Sequence, residues 1–210
     1  MVNFFVGFLV LVSSFTKQVE HFEGKINLVQ TTLYDTSFFT YYVKGQHVRV
    51  DKYDKDNQFI SSLLINLDTE EIFVISPAKK MYSKLTIHNT PQHGNENYII
   101  NKTENSRIVN GYECYQWRIK NIERNTEVAY WVSQNDFYFF DKMVSLLART
   151  EDSYAFFEKI PGKEGFFPML SVERTLLRRE KSRTAVVEIS KKPVEDNLFN
   201  IPSDYELILK

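Results

Sequence analysis

Tyr98-Ile-Ile-Asn-Lys-Thr-Glu-Asn-Ser-Arg-Ile-Val109, then Asn110-Gly111, then Tyr112-Glu-Cys-Tyr-Gln-Trp-Arg-Ile-Lys120: this stretch decides the fold. Asn-Gly between two alternating runs is a strong short-range hairpin signal, because both central residues of a type I′ turn need positive φ. Glu123-Arg124-Asn125 makes a second turn, and Thr126-Glu-Val-Ala-Tyr-Trp-Val-Ser133 supplies a third strand. Three consecutive antiparallel strands are the minimum for a sheet with a hydrophobic face.

Working towards the N-terminus, the same grammar repeats. Residues 21–34 alternate, with Phe22, Ile26 and Leu28 on one face and Glu23, Lys25 and Asn27 on the other. Gly24 within that run implies a bulge or a close backbone approach. Phe38–Val43 and His47–Tyr53 form a pair around Lys44-Gly45, Ile60–Leu67 turns at Asp68-Thr69-Glu70 into Glu71–Ser76, and Pro77 stops that strand. Lys79–Leu85 follows, and then a polar loop from His88 to Asn97.

Towards the C-terminus the period changes. Ser133 is a good N-cap, with Asp136 three residues on, and Phe137, Phe140, Val144 and Leu147 fall at helical spacing. Phe139, Met143 and Leu146 broaden the stripe, so a helix over 133–148 wants burial on more than one side. A second helical piece is expected over 153–160, a closing antiparallel pair over 172–179 and 184–189, and one helical turn over 194–199.

Composition agrees with a sheet. Aromatics make up 15% of the 210 residues, with 17 Phe and 12 Tyr against only 7 Gly, and aromatic and β-branched residues favour strands. A chain of this length buries about 70% of its unfolded surface, enough for a substantial core. The net charge of −1, with both signs mixed along the chain, argues against a nucleic-acid-binding face. Phe4–Val12 is an apolar run of signal-peptide length, far short of a membrane-spanning helix, and Val12-Ser13-Ser14 offers small residues for cleavage. Residues 1–14 are therefore expected to be a signal peptide and 15–210 one domain of an exported protein that is not integral to the membrane. No Lys or Arg precedes the apolar run.

Catalytic machinery is not apparent. His88 and His93 have no further ligands at metal spacing. Cys114, the one cysteine, falls on a strand, where a lone cysteine is usually a small buried hydrophobe. Asp51, Asp54 and Asp56 lack the glycine and closing glutamate of a calcium loop and read as a solvated turn. No nucleophile elbow, phosphate-binding loop or dinucleotide fingerprint occurs. Hence no cofactor, metal or enzymatic activity is expected. Trp117 and Trp131, on neighbouring strands and read as neighbours in space, are either core aromatics or the lining of an apolar cavity; the same residues serve both.

Several motifs, taken in order, resemble a known family: Tyr42-Val-Lys-Gly45 with Val48-Arg-Val-Asp51, Pro77-Ala-Lys-Lys-Met-Tyr82, Gly111-Tyr-Glu-Cys114, Tyr130-Trp-Val132 and Phe199-Asn-Ile-Pro-Ser-Asp-Tyr205. The chain resembles a domain-of-unknown-function family of exported bacterial proteins within the superfamily of outer-membrane lipoprotein carriers (LolA-like proteins). That resemblance implies a strongly curved antiparallel sheet, an unclosed barrel, with one or two helices covering its concave face. It implies a periplasmic, non-enzymatic protein of a Gram-negative bacterium that holds a lipid or a lipoprotein acyl chain between sheet and helices. The lining would then come from Phe22, Ile26, Leu28, Tyr41, Leu63, Ile65, Trp117, Trp131, Phe137, Phe140 and Val144, with the 133–148 helix as lid and Arg49 tying lid to sheet. The alternative is a cell-envelope structural or protein-interaction module whose core is filled by its own side chains.

Overall fold

The computed structural model describes residues 21–87, 97–150 and 154–208. The expected signal peptide and both loop histidines, His88 and His93, lie outside these residues, as does Ser153. Twelve strands form one sheet: β1 (Gly24–Thr32), β2 (Thr36–Lys44), β3 (His47–Tyr53), β4 (Phe59–Asn66), β5 (Glu71–Ser76), β6 (Met81–Lys84), β7 (Tyr98–Val109), β8 (Tyr112–Asn121), β9 (Thr126–Gln134), β10 (Phe166–Arg174), β11 (Glu180–Ser190) and β12 (Glu206–Leu207). Their order is β12-β6-β5-β4-β3-β2-β1-β11-β10-β9-β8-β7, and only β12 against β6 is parallel. The two end strands do not pair, so the curved sheet is an unclosed barrel. Two helices, α1 (Tyr138–Leu147) and α2 (Ala155–Glu158), cover its inner face.

Local turn chemistry sets the hairpins. Asn110 and Gly111 both have positive φ, 49° and 80°, as a type I′ turn requires. The Asn110 amide also donates to the Val186 carbonyl on β11, beyond β9 and β10 in the sheet order, and ties the hairpin tip to the body of the sheet. Gly24 is a close backbone approach: its φ is 142°, and a Cβ there would lie 2.0 Å from the Ser190 carbonyl oxygen. Pro168 falls inside β10, where the register with β9 shifts between Pro168 and Leu170; a bulge is where a sheet tolerates a residue with no N–H to donate.

The helix start expected at Ser133 is corrected. β9 runs on to Gln134, with Ser133 buried opposite Phe167 and Gln134 opposite Phe166. Cross-strand pairing with β10 outweighs the capping propensity of one serine, whose hydroxyl instead accepts from the Asn135 amide at 2.9 Å. Asp136 takes a φ of 45°, and α1 begins at Tyr138 without a side-chain cap. The closing pair is also longer than expected, and residues 175–179 form the turn between β10 and β11 rather than strand.

Phe137, Phe139, Phe140, Met143, Val144, Leu146 and Leu147 are all buried. Phe167 of β10 stands at the centre of this cluster, with ring centroids 5.2 Å from Phe137 and 4.6 Å from Phe140. Offset and edge-on aromatic pairs of this kind add about 0.5–1.5 kcal/mol each beyond area burial. Replacing Gly111 with valine is expected to cost about 1–2 kcal/mol from the left-handed backbone alone, since nothing lies within 4 Å of its Cβ position. Gly24→Ala adds a steric overlap with backbone and should cost more than Gly111→Val. Urea denaturation of the two variants checks the order.

A candidate ligand hollow between sheet and helices

Each strand of the inner face alternates, and the alternation changes character along its length. Near the β2–β3 turn the inward residues are Ile26, Val43, Val48 and Ile65, all buried at 0–2% exposure under α1. Two to four residues on, towards the β1–β2 and β3–β4 turns, the inward residues become Leu28 and Gln30, Tyr41 and Phe39, Val50 and Lys52, Leu63 and Ser61. There the helices do not fill the space, and a hollow of about 500 Å³ remains. Phe140, Phe157 and Phe167 close it from the helix and β10 side, while Gln30, Lys52, Ser61, Ser171 and Thr184 give it a polar rim. Lys52 is the one charged residue among the described lining, with its ammonium 5.8 Å from the Phe39 ring centroid. Tyr130 also borders the hollow, and burial, with Glu173 adding, holds its hydroxyl protonated far above the usual phenol range.

Of the eleven residues expected to line a cavity, Leu28, Tyr41, Leu63 and Phe140 border this hollow. Phe22, Ile26, Ile65, Phe137 and Val144 lie in the packed half of the core instead, at 0–5% exposure. Trp117 is buried against Phe166, at 4.6 Å between ring centroids. Trp131 is on the other side of the sheet: the ladder sets Trp117 opposite Tyr130 and Gln116 opposite Trp131, so the two tryptophans face away from each other. Arg107 covers the Trp131 ring at 3.9 Å. Phe39, Val50, Val74 and Phe157 were missed. Extending the i, i+2 alternation from Leu28, Tyr41 and Leu63 one step towards this end of the sheet would have added Gln30, Phe39 and Ser61.

Arg49 does not reach the helices through its hydrogen bonds. It donates from Nε to Asp51 at 2.7 Å and from Nη1 to the Leu198 carbonyl at 2.8 Å, and so ties the 3-10 turn Asp196–Phe199 to the outer face of the sheet. Asp51 is buried there and also accepts from Ser62 at 2.6 Å, so it is not part of a solvated turn. Burial, with the Asp51 carboxylate adding, pushes the neighbouring Tyr42 and Tyr53 hydroxyls above the ordinary phenol value. Asp54 does serve the turn, accepting from the Asp56 and Gln58 amides at 2.9 Å each.

The helical cover is held by lysines. Lys163, 9% exposed, lies 3.1 Å from Asp141 of α1 and 3.3 Å from Glu158 of α2, and Ser145 donates to the same Glu158 oxygen at 3.0 Å. The Asp141 oxygen has no well-angled hydrogen bond, so its contact with Lys163 is Coulombic. Lys102 of β7 donates to the Pro161 and Gly162 carbonyls just after α2 and lies 4.1 Å over the Trp117 ring. Among the described residues, no group of three or more His, Cys, Asp and Glu could hold a metal ion, and no helix is long and apolar enough to cross a membrane.

An open-barrel antiparallel sheet with helices over a hollow defines a structural class, and comparisons with known proteins agree with it. The chain belongs to the family described as a domain of unknown function (DUF4412), whose model matches residues 22–205. No curated protein sequence matches it. Among solved structures, an uncharacterized conserved protein from Thermus thermophilus superposes with a TM-score of 0.51 at 8% identity, covering 89% of this chain and 90% of that one. The complex of MucA and MucB from Pseudomonas aeruginosa matches with a TM-score of 0.52 at 8% identity, covering 88% of this chain and 57% of that one. A putative outer membrane lipoprotein-sorting protein domain from Vibrio parahaemolyticus matches at 0.33 and 8% identity, over 84% and 88% of the two chains. At such identities the likeness concerns the fold alone.

Two outcomes follow from these contacts. Lys163→Met leaves two carboxylates facing each other at the α1–α2 junction; removing one partner of a buried pair costs about 3 kcal/mol where the partners keep some solvent contact, and a thermal or urea melt reads it. Cys114 is fully buried and desolvation lifts its thiol to about 11. Alkylation, which needs the thiolate, should therefore spare it in the folded protein at about pH 8 and proceed in urea.

Proposed function

We propose that this protein is a non-enzymatic, carrier-like binder of a single acyl chain with an anionic head, exported to the periplasm and related to the lipoprotein carriers. The observation that carries this reading is the hollow itself: about 500 Å³, apolar on its floor and polar at its rim, beside a continuous buried apolar core. Ligand pockets run from about 300 to 1,000 Å³ and combine apolar walls with a few orienting polar groups. This one falls in the lower half, which favours one chain over the several of a whole lipoprotein anchor. Lys52 is placed to meet a carboxylate or phosphate, and Gln30, Ser61, Ser171 and Thr184 supply neutral hydrogen bonds around it.

A second reading keeps a protein as the partner. β7 is a twelve-residue strand at the end of the sheet order, and a free strand edge can accept a partner's strand. A filled hollow would not disturb that edge, so the two readings separate by experiment.

Phe140 touches Phe139, Phe157 and Phe167, so truncating it would cost about 3–5 kcal/mol in stability and blur any effect on binding. Leu63 is the cleaner probe, because it is half-buried and faces the hollow. The native protein should bind a fluorescent fatty acid and bind its methyl ester more weakly. Leu63→Trp should weaken the fatty acid at least about tenfold with little change in melting temperature, and Lys52→Met should erase the preference for the free acid. No probe binding by the native protein would remove the carrier reading and leave the interaction module.

A further inference from the structure

The sheet has two unlike ends. The antiparallel ladder brings five turns to one of them: residues 33–35 between β1 and β2, 54–58 between β3 and β4, 77–80 between β5 and β6, 122–125 between β8 and β9, and 175–179 between β10 and β11. This is also the end towards which the polar rim of the hollow lies. Large apolar side chains stand out from it: Tyr34 is 93% exposed, Leu177 90%, Ile122 63% and Leu33 54%, with Phe59 and Ile60 beside the 54–58 turn. The turns at the opposite end, 45–46, 67–70 and 110–111, carry no exposed large apolar residue.

The most prominent tip is Thr175-Leu-Leu-Arg-Arg179. Its shape is fixed. The Thr175 amide donates to the Arg179 carbonyl and the Arg178 amide to the Thr175 carbonyl, both at 2.8 Å, and the Leu176 amide donates to Asn125 of the neighbouring turn at 3.2 Å. Leu177 is thus held out in water by a well-bonded turn. Arg178 and Arg179 are exposed, and neither side chain ion-pairs among the described residues. Arg174, Lys181 and Arg183 behind them are ion-paired, with Arg174 and Arg183 sharing Glu180 and Lys181 on Glu173. The other turns at this end mix Asp35, Asp54, Asp56 and Glu123 with Lys55, Lys79, Lys80 and Arg124, and Lys55 and Lys80 are paired with Asp56 and Asp204. The 175–179 turn is the tip where exposed leucines and two arginines coincide with no acidic residue in the turn.

We propose that this end of the molecule docks on an anionic lipid surface, with Leu176 and Leu177 entering the headgroup layer and Arg178 and Arg179 meeting lipid phosphates. Apolar area and attraction to anionic lipid together set the strength of interfacial binding. A basic residue near such a surface contributes about 1 kcal/mol, so the arginine pair is worth about thirtyfold. Docking in this orientation turns the polar rim of the hollow towards the bilayer. It stands independently of what the hollow holds, because it depends on the turns alone.

The test uses vesicles of phosphatidylcholine with and without phosphatidylglycerol. Cys114 is the one cysteine and is buried, so Leu177→Cys accepts an environment-sensitive dye selectively. Its emission should shift to the blue with phosphatidylglycerol vesicles, while the same dye on Ile108→Cys, 67% exposed near the opposite end, should not respond. L176S/L177S should lower vesicle affinity at least about tenfold, and R178Q/R179Q should abolish the preference for phosphatidylglycerol. Leu63→Trp, with its hollow blocked, should still bind vesicles, which separates this proposal from the ligand reading. A dye at 177 that ignores vesicles would overturn the proposal. So would equal responses at 177 and 108, or Leu177-dependent self-association without vesicle binding.

Discussion

One ladder holds the molecule together: β1 against β11. On one side of it stand β2 to β6 and on the other β10 to β7, each a run of locally connected strands. Among the described residues only this pairing joins the two runs into one sheet, and it does so across a sequence separation of 161 residues between Asn27 and Glu188. Its tightest point is Gly24, where any side chain would collide with the Ser190 carbonyl. The helical cover spans the same ladder, because Phe140 of α1 packs on Phe167 of β10 and Phe137, just before α1, packs on Phe22, just before β1, at 5.1 Å. Pairing at such separation incurs its loop-closure entropy before contacts repay it, so this ladder carries the largest closure cost among the strand pairs of the sheet.

That distinction explains what was legible in the sequence. Elements specified by their own neighbours could be read: the Asn110-Gly111 turn, the paired runs around Lys44-Gly45 and Asp68-Thr69-Glu70, and the mainly β class; the open sheet came from the family resemblance and not from any local pattern. Elements decided by distant partners could not. Ser133 carries a capping signal in its own side chain, but β10, more than thirty residues away, claims it for the sheet. Trp117 and Trp131 are both aromatic and both on strands, and which face each occupies follows from a register that no local pattern records. Arg49 could be placed on a strand but not given its partner, Leu198, 149 residues on. The cavity list shares four of its eleven residues with the hollow, and the others lie elsewhere, for a related reason. Periodicity gives the inward face of a strand, and the boundary between packed core and hollow along that face depends on where α1 and α2 stop.

The hollow is a thermodynamic oddity in a chain that packs its other aromatics so closely. If it were a sealed dry void, the usual cost of about 24 cal/mol per Å³ over this volume would approach 12 kcal/mol, as much as the whole stability of an ordinary domain, about 5–15 kcal/mol. The fold tolerates it because the space communicates with water at a polar rim and because the scaffold around it does not lean on it. The Phe137–Phe140–Phe167 cluster closes the core on one side, and Lys102 and Lys163 hold the cover on the other.

The cover is the softest part of that arrangement. α2 has only four residues, far below the length at which a helix holds itself together in water. Its position comes from Phe156 and Phe157 packing on Tyr98 and Tyr130 and from two lysines that grip it by charge and by backbone carbonyls. Aromatic packing is insensitive to salt, whereas the partly exposed carboxylates around Lys163 are screened by it. The apolar contacts therefore set where the cover sits, and the ion pairs set how firmly. α2 fixed in this way can yield at the rim of the hollow without disturbing the β1–β11 ladder, because its aromatic contacts on the sheet are to β7 and β9 and its lysine contacts link it to α1 and β7.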